Sequence, residues 1–393
     1  MNDGIPLTQQ APRAKHSALQ DMLVEVSHSD VLSFALGLPA ADLFPVAAFA
    51  KASAQVLSSN SRALQYGPPF QPLKSHIVNL MALRGVECRE EQVFLTAGAQ
   101  QGINLLTRLL LGDNLQVMVE EMVYPGFQQV IELYRPEILT VPSSLDTGMD
   151  VGAVEVLLDR GVRPAFIYAI ADGHNPLSVS MSEDKRVRLV ELATRHCVPI
   201  VEDDPYGFLA YRDHPAPPLR ALNDRWVFYV GSFSKILAPA LRVGWIIAPE
   251  NLISSLENLK EASDINTSTF NQQVISAYLD TGRLMAHLSM LRSEYCNRRD
   301  VMLRALEAYF PIDSRWHTPG SGIFIWVELS AETDTMGALK IALEKERIAF
   351  IPGQAFCVNT HRRASNCMRL NFSNPGVESI KTGIARLARV LAV

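Results

Sequence analysis

The sequence predicts an α/β protein with a mostly parallel sheet, followed by a smaller α+β unit. Two observations carry that expectation. From about residue 90 to 250, short apolar runs alternate with helical patterns, the order that parallel strands with crossover helices produce. After that the pattern changes: Glu257 to Tyr309 reads as long, charged helix, followed by a strand-like alternation at Ile323–Leu329, a helix near Met336–Glu346 and a strand near Ile348–Ile351.

The segment before residue 45 is loop-rich and too short for a core of its own, so residues 1–45 are expected to pack on the C-terminal unit or a partner subunit. Residues 46–280 then form the large domain and 281–393 the small one. Seven runs in the large domain have the length and the β-branched or aromatic content of buried strands: Val93–Thr96, Gln116–Val119, Ile138–Val141, Ala165–Ala169, Pro199–Glu202, Val227–Val230 and Val243–Ala248. Helical patterns fall between them, among them Val151–Leu158 and Ser182–His196. In the latter, Ser182 is the expected N-cap, and Lys185, Arg186 and Arg188 are expected on the wet face.

The bulk numbers exclude several classes. The chain has 393 residues, 48% hydrophobic and 20% charged, as in ordinary globular proteins. A net charge of -5 without a basic block implies neither nucleic acid nor an anionic membrane as partner. No apolar stretch approaches the ~18 residues of a membrane helix, and residues 1–20 show no apolar signal core. The five cysteines lack CxxC spacing, so neither a zinc site nor a disulfide framework is expected, and reduced thiols in the cytoplasm are.

The chemistry concentrates at strand ends. Gly231-Ser232-Phe233-Ser234-Lys235 follows the Val227 strand, with Arg242 seven residues on. A lysine amine condenses with carbonyl compounds, pyridoxal phosphate (PLP) among them. Two serine hydroxyls and an arginine suit a phosphate monoester beside it. Ala97-Gly98-Ala99-Gln100 opens a helix after another strand, where backbone amides can meet an anion. Glu202-Asp203-Asp204-Pro205-Tyr206 offers an acid for a pyridinium N–H and a phenol nearby. Asn175-Pro176 brings an amide, Tyr124 an aromatic face, and Arg369, between apolar neighbours, a bidentate partner for a carboxylate. A plain β–α turn, a helix cap, an Asn-Pro turn or an edge-strand arginine would account for most of these one at a time.

In this order along the chain, the signals resemble the fold-type I PLP-dependent aminotransferases. The branch they match best holds 2-aminoadipate aminotransferases and the C-terminal domains of MocR-type regulators. The resemblance runs from about Ser17 to the C-terminus. It rests on Gly37-Leu38-Pro39, Tyr66-Gly67-Pro68, Glu202-Asp203-Asp204-Pro205-Tyr206-Gly207, Gly231-Ser232-Phe233-Ser234-Lys235, Leu241-Arg242-Val243-Gly244-Trp245 and Arg369-Leu370-Asn371-Phe372-Ser373. It implies a large domain with a seven-stranded, mostly parallel sheet, and a ping-pong transfer of an amino group between an amino acid and a 2-oxo acid. Lys235 would be the Schiff-base lysine and proton shuttle, and Asp203 the partner of the pyridine nitrogen. Tyr206 and Asn175 would bond the phenolic oxygen, and Tyr124 would stack on the ring. Ala99, Gln100, Ser232, Ser234 and Arg242 would hold the phosphate. Tyr66 would reach the neighbouring subunit's cofactor in a homodimer with shared sites. Arg369 would clamp the substrate carboxylate, with Gly37 close to the substrate. No metal is implied.

The departures from that pattern cluster. Where the family has Gln-Asn-Pro-Thr-Gly, the chain reads His174-Asn175-Pro176-Leu177-Ser178, without the glycine that shapes the turn. Leu36-Gly37 replaces Gly-Gly, the loop after Tyr66 is two residues short, and Gln20 replaces an arginine. Arg13, Lys15 and His16 leave an acidic distal group open, whereas Leu36 and Phe70 favour a medium apolar or aromatic side chain. Together the departures suggest a specialised, biosynthetic enzyme, and His174 is either a proton carrier or a loop residue without a role. The alternatives are another PLP reaction (decarboxylation, epimerisation, elimination or replacement, cyclisation) and a non-catalytic ligand-sensing domain. The second is disfavoured because only about thirty residues precede the matching region.

Overall fold

A computed structural model describes residues 30–112, 115–211, 215–358 and 364–391. Seven strands form its main sheet: β1 (Val93–Thr96), β2 (Gln116–Glu120), β3 (Glu137–Val141), β4 (Phe166–Ala169), β5 (Ile200–Asp203), β6 (Val227–Ser232) and β7 (Gly244–Ile247). Their order is β1-β7-β6-β5-β4-β2-β3. Only β7 runs against its two neighbours. Each expected strand is present, with ends within a residue or two of the reading.

Both faces of the sheet are covered. Phe166 and Tyr168 of β4 face one cluster with Ile103, Leu106 and Phe228, while Ile167 and Ala169 face another with Val154, Leu189 and Val227. A strand buried on both sides has no polar alternation, so its sequence is a continuous apolar run. At about 1.5–3 kcal/mol for each large side chain taken from water, these two layers hold the sheet between its helices.

The direction of the strands positions the site. Because β1 to β6 all point the same way, their carboxyl ends share one edge, where α/β sheets place ligands. The turns at that edge carry Gly98, Glu120, Asn175, Asp203 and Ser232–Lys235. Helix α1 (Ala99–Leu110) follows β1, and Gly98 at its N-cap has φ 93° and no side chain to cap the first amides. Gly231 pairs with Trp245 across β6 and β7, and a Cβ there would collide with the indole, which explains that glycine.

Helix α2 (Glu183–His196) corrects one expectation. Ser182 sits at the N-cap, but its side chain makes no capping bond. Arg186 is fully buried rather than on the wet face. Its guanidinium donates to Asp172 Oδ1 at 2.7 Å and to the carbonyls of Met181 and Ala171 at 3.0 Å. The spacing was readable: Arg186 shares its helix face with buried Leu189, Val190 and Ala193, at i+3, i+4 and i+7. Lys185 binds the carbonyls of Thr147 and Met149, and Arg188 stays outside, paired with Glu155.

The long helical stretch breaks into Ile253–Asp264, Thr269–Leu279 and α3 (Leu284–Tyr309). Ile265 at φ 66° and Gly282 at φ 69° end the first two. A three-stranded antiparallel sheet follows, β8 (Phe324–Glu328), β9 (Ile351–Pro352) and β10 (Cys367–Asn371), in the order β8-β10-β9. Helices α3 and α4 (Val377–Leu391) bury Leu291, Met302, Ile384 and Leu387 beside its Met368 and Leu370. The described start of the chain lies against this unit. Leu32–Ser33 pairs in parallel with Ile348–Ala349, and the Asn371 N–H donates to the Phe34 carbonyl at 2.7 Å. Arg13, Lys15, His16 and Gln20 lie outside the described residues.

Candidate active site

Two side chains far apart in the sequence, Lys235 and Arg369, meet on one short segment. The Lys235 amine donates to the Gly37 carbonyl at 2.6 Å. The Arg369 guanidinium donates from Nη2 to the Ala35 carbonyl at 2.7 Å and from Nη1 to Asn175 Oδ1 at 2.7 Å. Strand alternation explains Arg369: on β10, Met368 and Leu370 point into the main core, so Arg369 points the other way. There it lies 3.9 Å from the Phe324 ring centroid and 4.8 Å from that of Phe356. Its Nε is buried without a partner. Burial lowers its pKa to about 10, so it stays a cation at neutral pH. The hydrogen-bond acceptors around this buried charge are neutral oxygens, which leaves it suited to an incoming carboxylate.

Asp203 and Asp204 are neighbours with different tasks. Asp203 ends β5 and accepts from the Tyr168 hydroxyl at 2.6 Å through Oδ2, while its buried Oδ1 has no partner among the described residues. Burial raises its carboxyl to about 7. Asp204 points away, to Arg84 Nη1 and the Tyr229 hydroxyl at 3.0 Å and to the Gly207 N–H at 2.7 Å. Arg84 also binds Asp172 Oδ2 at 2.9 Å. Arg84, Asp172, Arg186 and Asp204 thus form a buried network beneath the turns. The sequence reading missed Arg84 and Tyr168 in these roles, because contacts 88 and 35 residues apart leave no local signal.

Loss of hydration lowers the part-buried Lys235 amine to about 8, and Arg369 and Arg242 push the same way. Around it, the Ser234 N–H donates to Ser232 Oγ at 3.1 Å, and the two hydroxyls bond at 3.0 Å. Arg242 donates to the Ala97 carbonyl at 3.0 Å. A Cβ on Gly98 would lie 2.5 Å from Arg242 Nη2, so only glycine lets the guanidinium lie against the start of α1. The Ala99 and Gln100 amides open that helix and have no preceding carbonyl in it. Gln100 Nε2 donates to the Gly126 carbonyl at 2.7 Å. Tyr124 lies over Gly126, where a Cβ would collide with its ring. Tyr206 is buried, edge-on to Phe324 with centroids 6.0 Å apart. Tyr66 stands apart, 74% exposed.

The family described as aminotransferase class I and II matches residues 29–387. The chain belongs to that family. An aromatic-amino-acid aminotransferase of Thermococcus litoralis is 37% identical over 393 residues, covering 98% of this chain and 93% of the relative. The crystal structure of Pyrococcus horikoshii kynurenine aminotransferase, in complex with PMP, is 35% identical with a TM-score of 0.91, covering 98% of this chain and 96% of that one. The α-aminoadipate aminotransferase of Thermus thermophilus, complexed with N-(5'-phosphopyridoxyl)-L-leucine, is 32% identical with a TM-score of 0.90, covering 98% and 97%.

This aminotransferase therefore has the fold-type I α/β architecture, and it moves amino groups between amino acids and 2-oxo acids with PLP. The other PLP reactions are not favoured. Its residues fit the cofactor: the unpartnered Asp203 Oδ1 suits a ring N–H, and the Gly98 cradle with Arg242 and the serines suits a phosphate. Among the described residues, no helix is long and apolar enough to cross a membrane, and no cluster of metal ligands occurs.

The altered loop has a definite shape. Asn175-Pro176 is cis, Gly173 has φ 56°, and Ser178, where the glycine was expected, has φ 60°. His174 turns its ring nitrogens to Glu120 Oε2 at 3.0 Å and to the Leu177 N–H at 3.4 Å. A proton carrier needs a ring nitrogen free to face the reacting carbon, so the geometry speaks against that role.

Proposed function

We propose that the meeting of Lys235 and Arg369 on Ala35–Gly37 is the seat of the reaction. The single observation that carries this is the pair of hydrogen bonds from those two cations to carbonyls two residues apart. An α-amino acid carries an amine and a carboxylate one carbon apart, so one end can meet Arg369 while its α-carbon faces Lys235.

The remaining roles belong to the same proposal. Bound PLP supplies a carbonyl that condenses with amines and a ring that withdraws electrons. Lys235 is the amine that meets that carbonyl. With its pKa near 8, Nζ is poised to take the substrate α-proton and give it back. Asp203 Oδ1 holds the ring N–H, and Tyr168 keeps Oδ2 in place. Tyr206 and Asn175 face the phenolic oxygen, and Tyr124 the ring. Ala99, Gln100, Ser232, Ser234 and Arg242 take the phosphate. Gly37 lets the chain pass close to Phe324, since a Cβ there would lie 2.9 Å from its ring.

Buried Leu36 and the rings of Phe324 and Phe356 support a medium apolar or aromatic amino donor, in keeping with the names of two of the relatives. Exposed Tyr66 supports a homodimer in which it reaches the second site. Five free cysteines fit a reducing cytoplasm. A domain boundary near residue 280, with residues 30–45 riding on the small domain, fits the contacts of Leu32–Phe34.

A spectral titration with a panel of amino acids tests the core reading. The expected result is release of a 2-oxo acid in the half-reaction, reversal by a second 2-oxo acid, and a loss of on the order of 10²–10⁴-fold in Lys235→Ala. Wild-type-like turnover of Lys235→Ala would sink it.

A further inference from the structure

We propose that His174, held by Glu120 and Ser143, is a positioning residue that sets the substrate-carboxylate clamp. The inference rests on the reading of Arg369 and Asn175 given above. It deepens that reading by assigning a role to a histidine and a carboxylate that the chemistry does not otherwise use.

The anchor is rigid. Glu120 is the last residue of β2, and its side chain is only 4% exposed. One carboxylate oxygen accepts from Ser143 Oγ at 2.8 Å, and the other meets His174 Nε2 at 3.0 Å. The imidazole is 3% exposed, and its Nδ1 accepts the Leu177 N–H at 3.4 Å. Those partners select one arrangement: Nε2 carries the hydrogen and donates to Glu120, and Nδ1 accepts. The backbone of His174 is held as well, its N–H donating to the Val179 carbonyl at 2.8 Å and its carbonyl accepting from the Ser178 N–H at 2.5 Å. On its other side, Gly173 is pressed on Gly322, where a Cβ would lie 2.9 Å from the Gly322 Cα.

The next residue is Asn175, whose Oδ1 accepts from Arg369. Two firm supports therefore enclose one amide: the sheet edge, through Ser143, Glu120 and His174, and the small sheet, through Arg369 on β10. Among the described residues, Asn175 and the Ala35 carbonyl are the hydrogen-bond acceptors that orient the Arg369 fork. A shift of the 173–178 turn moves one of those two acceptors directly. The ring of His174 never touches substrate in this arrangement; it acts by holding Asn175 where the guanidinium needs it.

The test compares His174→Ala, His174→Gln, Glu120→Gln and Arg369→Ala, each as PLP-loaded enzyme. Calorimetric Kd values for 3-phenylpropanoate and hexanoate, which lack an amine, are read beside kcat and KM for the best donor of the panel. With Asn175 no longer fixed, one of the two Arg369 acceptors loses its place, so His174→Ala should raise Kd and KM by about tenfold, with kcat falling by no more than about threefold. His174→Gln, which can still offer a donor to Glu120, should recover most of that loss. Glu120→Gln should move Kd the same way, and it keeps the proposal testable if His174→Ala does not fold. If Arg369→Ala binds the carboxylates as wild type does, the clamp reading fails and this inference falls with it. If Arg369→Ala weakens binding while His174→Ala and Glu120→Gln do not, only the inference is overturned. It is likewise overturned if His174→Gln is no better than His174→Ala, which would mark the ring as packing alone.

Discussion

The two halves of the proposed active site are built differently. The cofactor half comes from turns at the sheet edge, and its parts lie in short stretches: Asp203 to Tyr206, Ser232 to Lys235, Arg242. The carboxylate half is assembled from three distant segments, Ala35–Gly37, His174–Asn175 and Arg369, with contacts spanning 194 and 334 residues. In the first half the local backbone sets the geometry. In the second, the loop departs from the family pattern, yet it is held by contacts the family motif does not mention.

Three changes sharpen that contrast, beyond the tests above. The largest expected effect is in the cofactor half, on the pH dependence of the cofactor-free protein. Asp203 has its folded value near 7, above its ordinary 3.8. Between those values the folded protein holds a proton that the unfolded chain has released. Stability should therefore fall as pH rises from about 4 to about 7, since the folded state binds more protons there. Buried Glu202, also raised to about 7, contributes in the same window, so Asp203→Asn should reduce that slope in denaturant titrations without abolishing it, and an unchanged slope would contradict the assignment.

Next is Gly98→Ala. Its φ of 93° and the 2.5 Å approach to Arg242 Nη2 both oppose a side chain. Strain of this kind costs about 1–3 kcal/mol, so PLP affinity should fall by about tenfold or more. Affinity for the amino donor at saturating PLP should change little. Fluorescence titration of the cofactor-free protein reads the first, steady-state KM the second. Equal losses in both would mean the halves are not separable.

The smallest effect is in the clamp half. Ser178 takes φ 60°, and its buried hydroxyl has no partner. Ser178→Gly should stabilise the protein by about 0.5–1 kcal/mol, because a non-glycine residue in that region costs about 1–2 kcal/mol and glycine's extra unfolded freedom takes back part of it. Thermal unfolding measures it. A destabilised variant would show that the hydroxyl has a partner in solution.

The sequence by itself determined the fold class and the seven strands, and it named the residues proposed for the cofactor half. Doubly buried strands are continuous apolar runs, and a lysine, two serines and an arginine within eleven residues leave a local trace. It could not place what depends on which face turns inward across the fold. Arg186 was expected in solvent although its helix face was apolar, because charge was weighed above spacing. The resemblance already chose Asp203 over Asp204, but the physical reason is in the partners each side of β5 presents, Tyr168 on one and Arg84 with Tyr229 on the other. The same holds for His174: its neighbours in sequence suggest a loop, and only the register of β2 brings Glu120 beneath it. Those assignments are tertiary because each needs a group from another strand or helix to fill a hydrogen bond or balance a buried charge, and no periodicity in the chain encodes that partner.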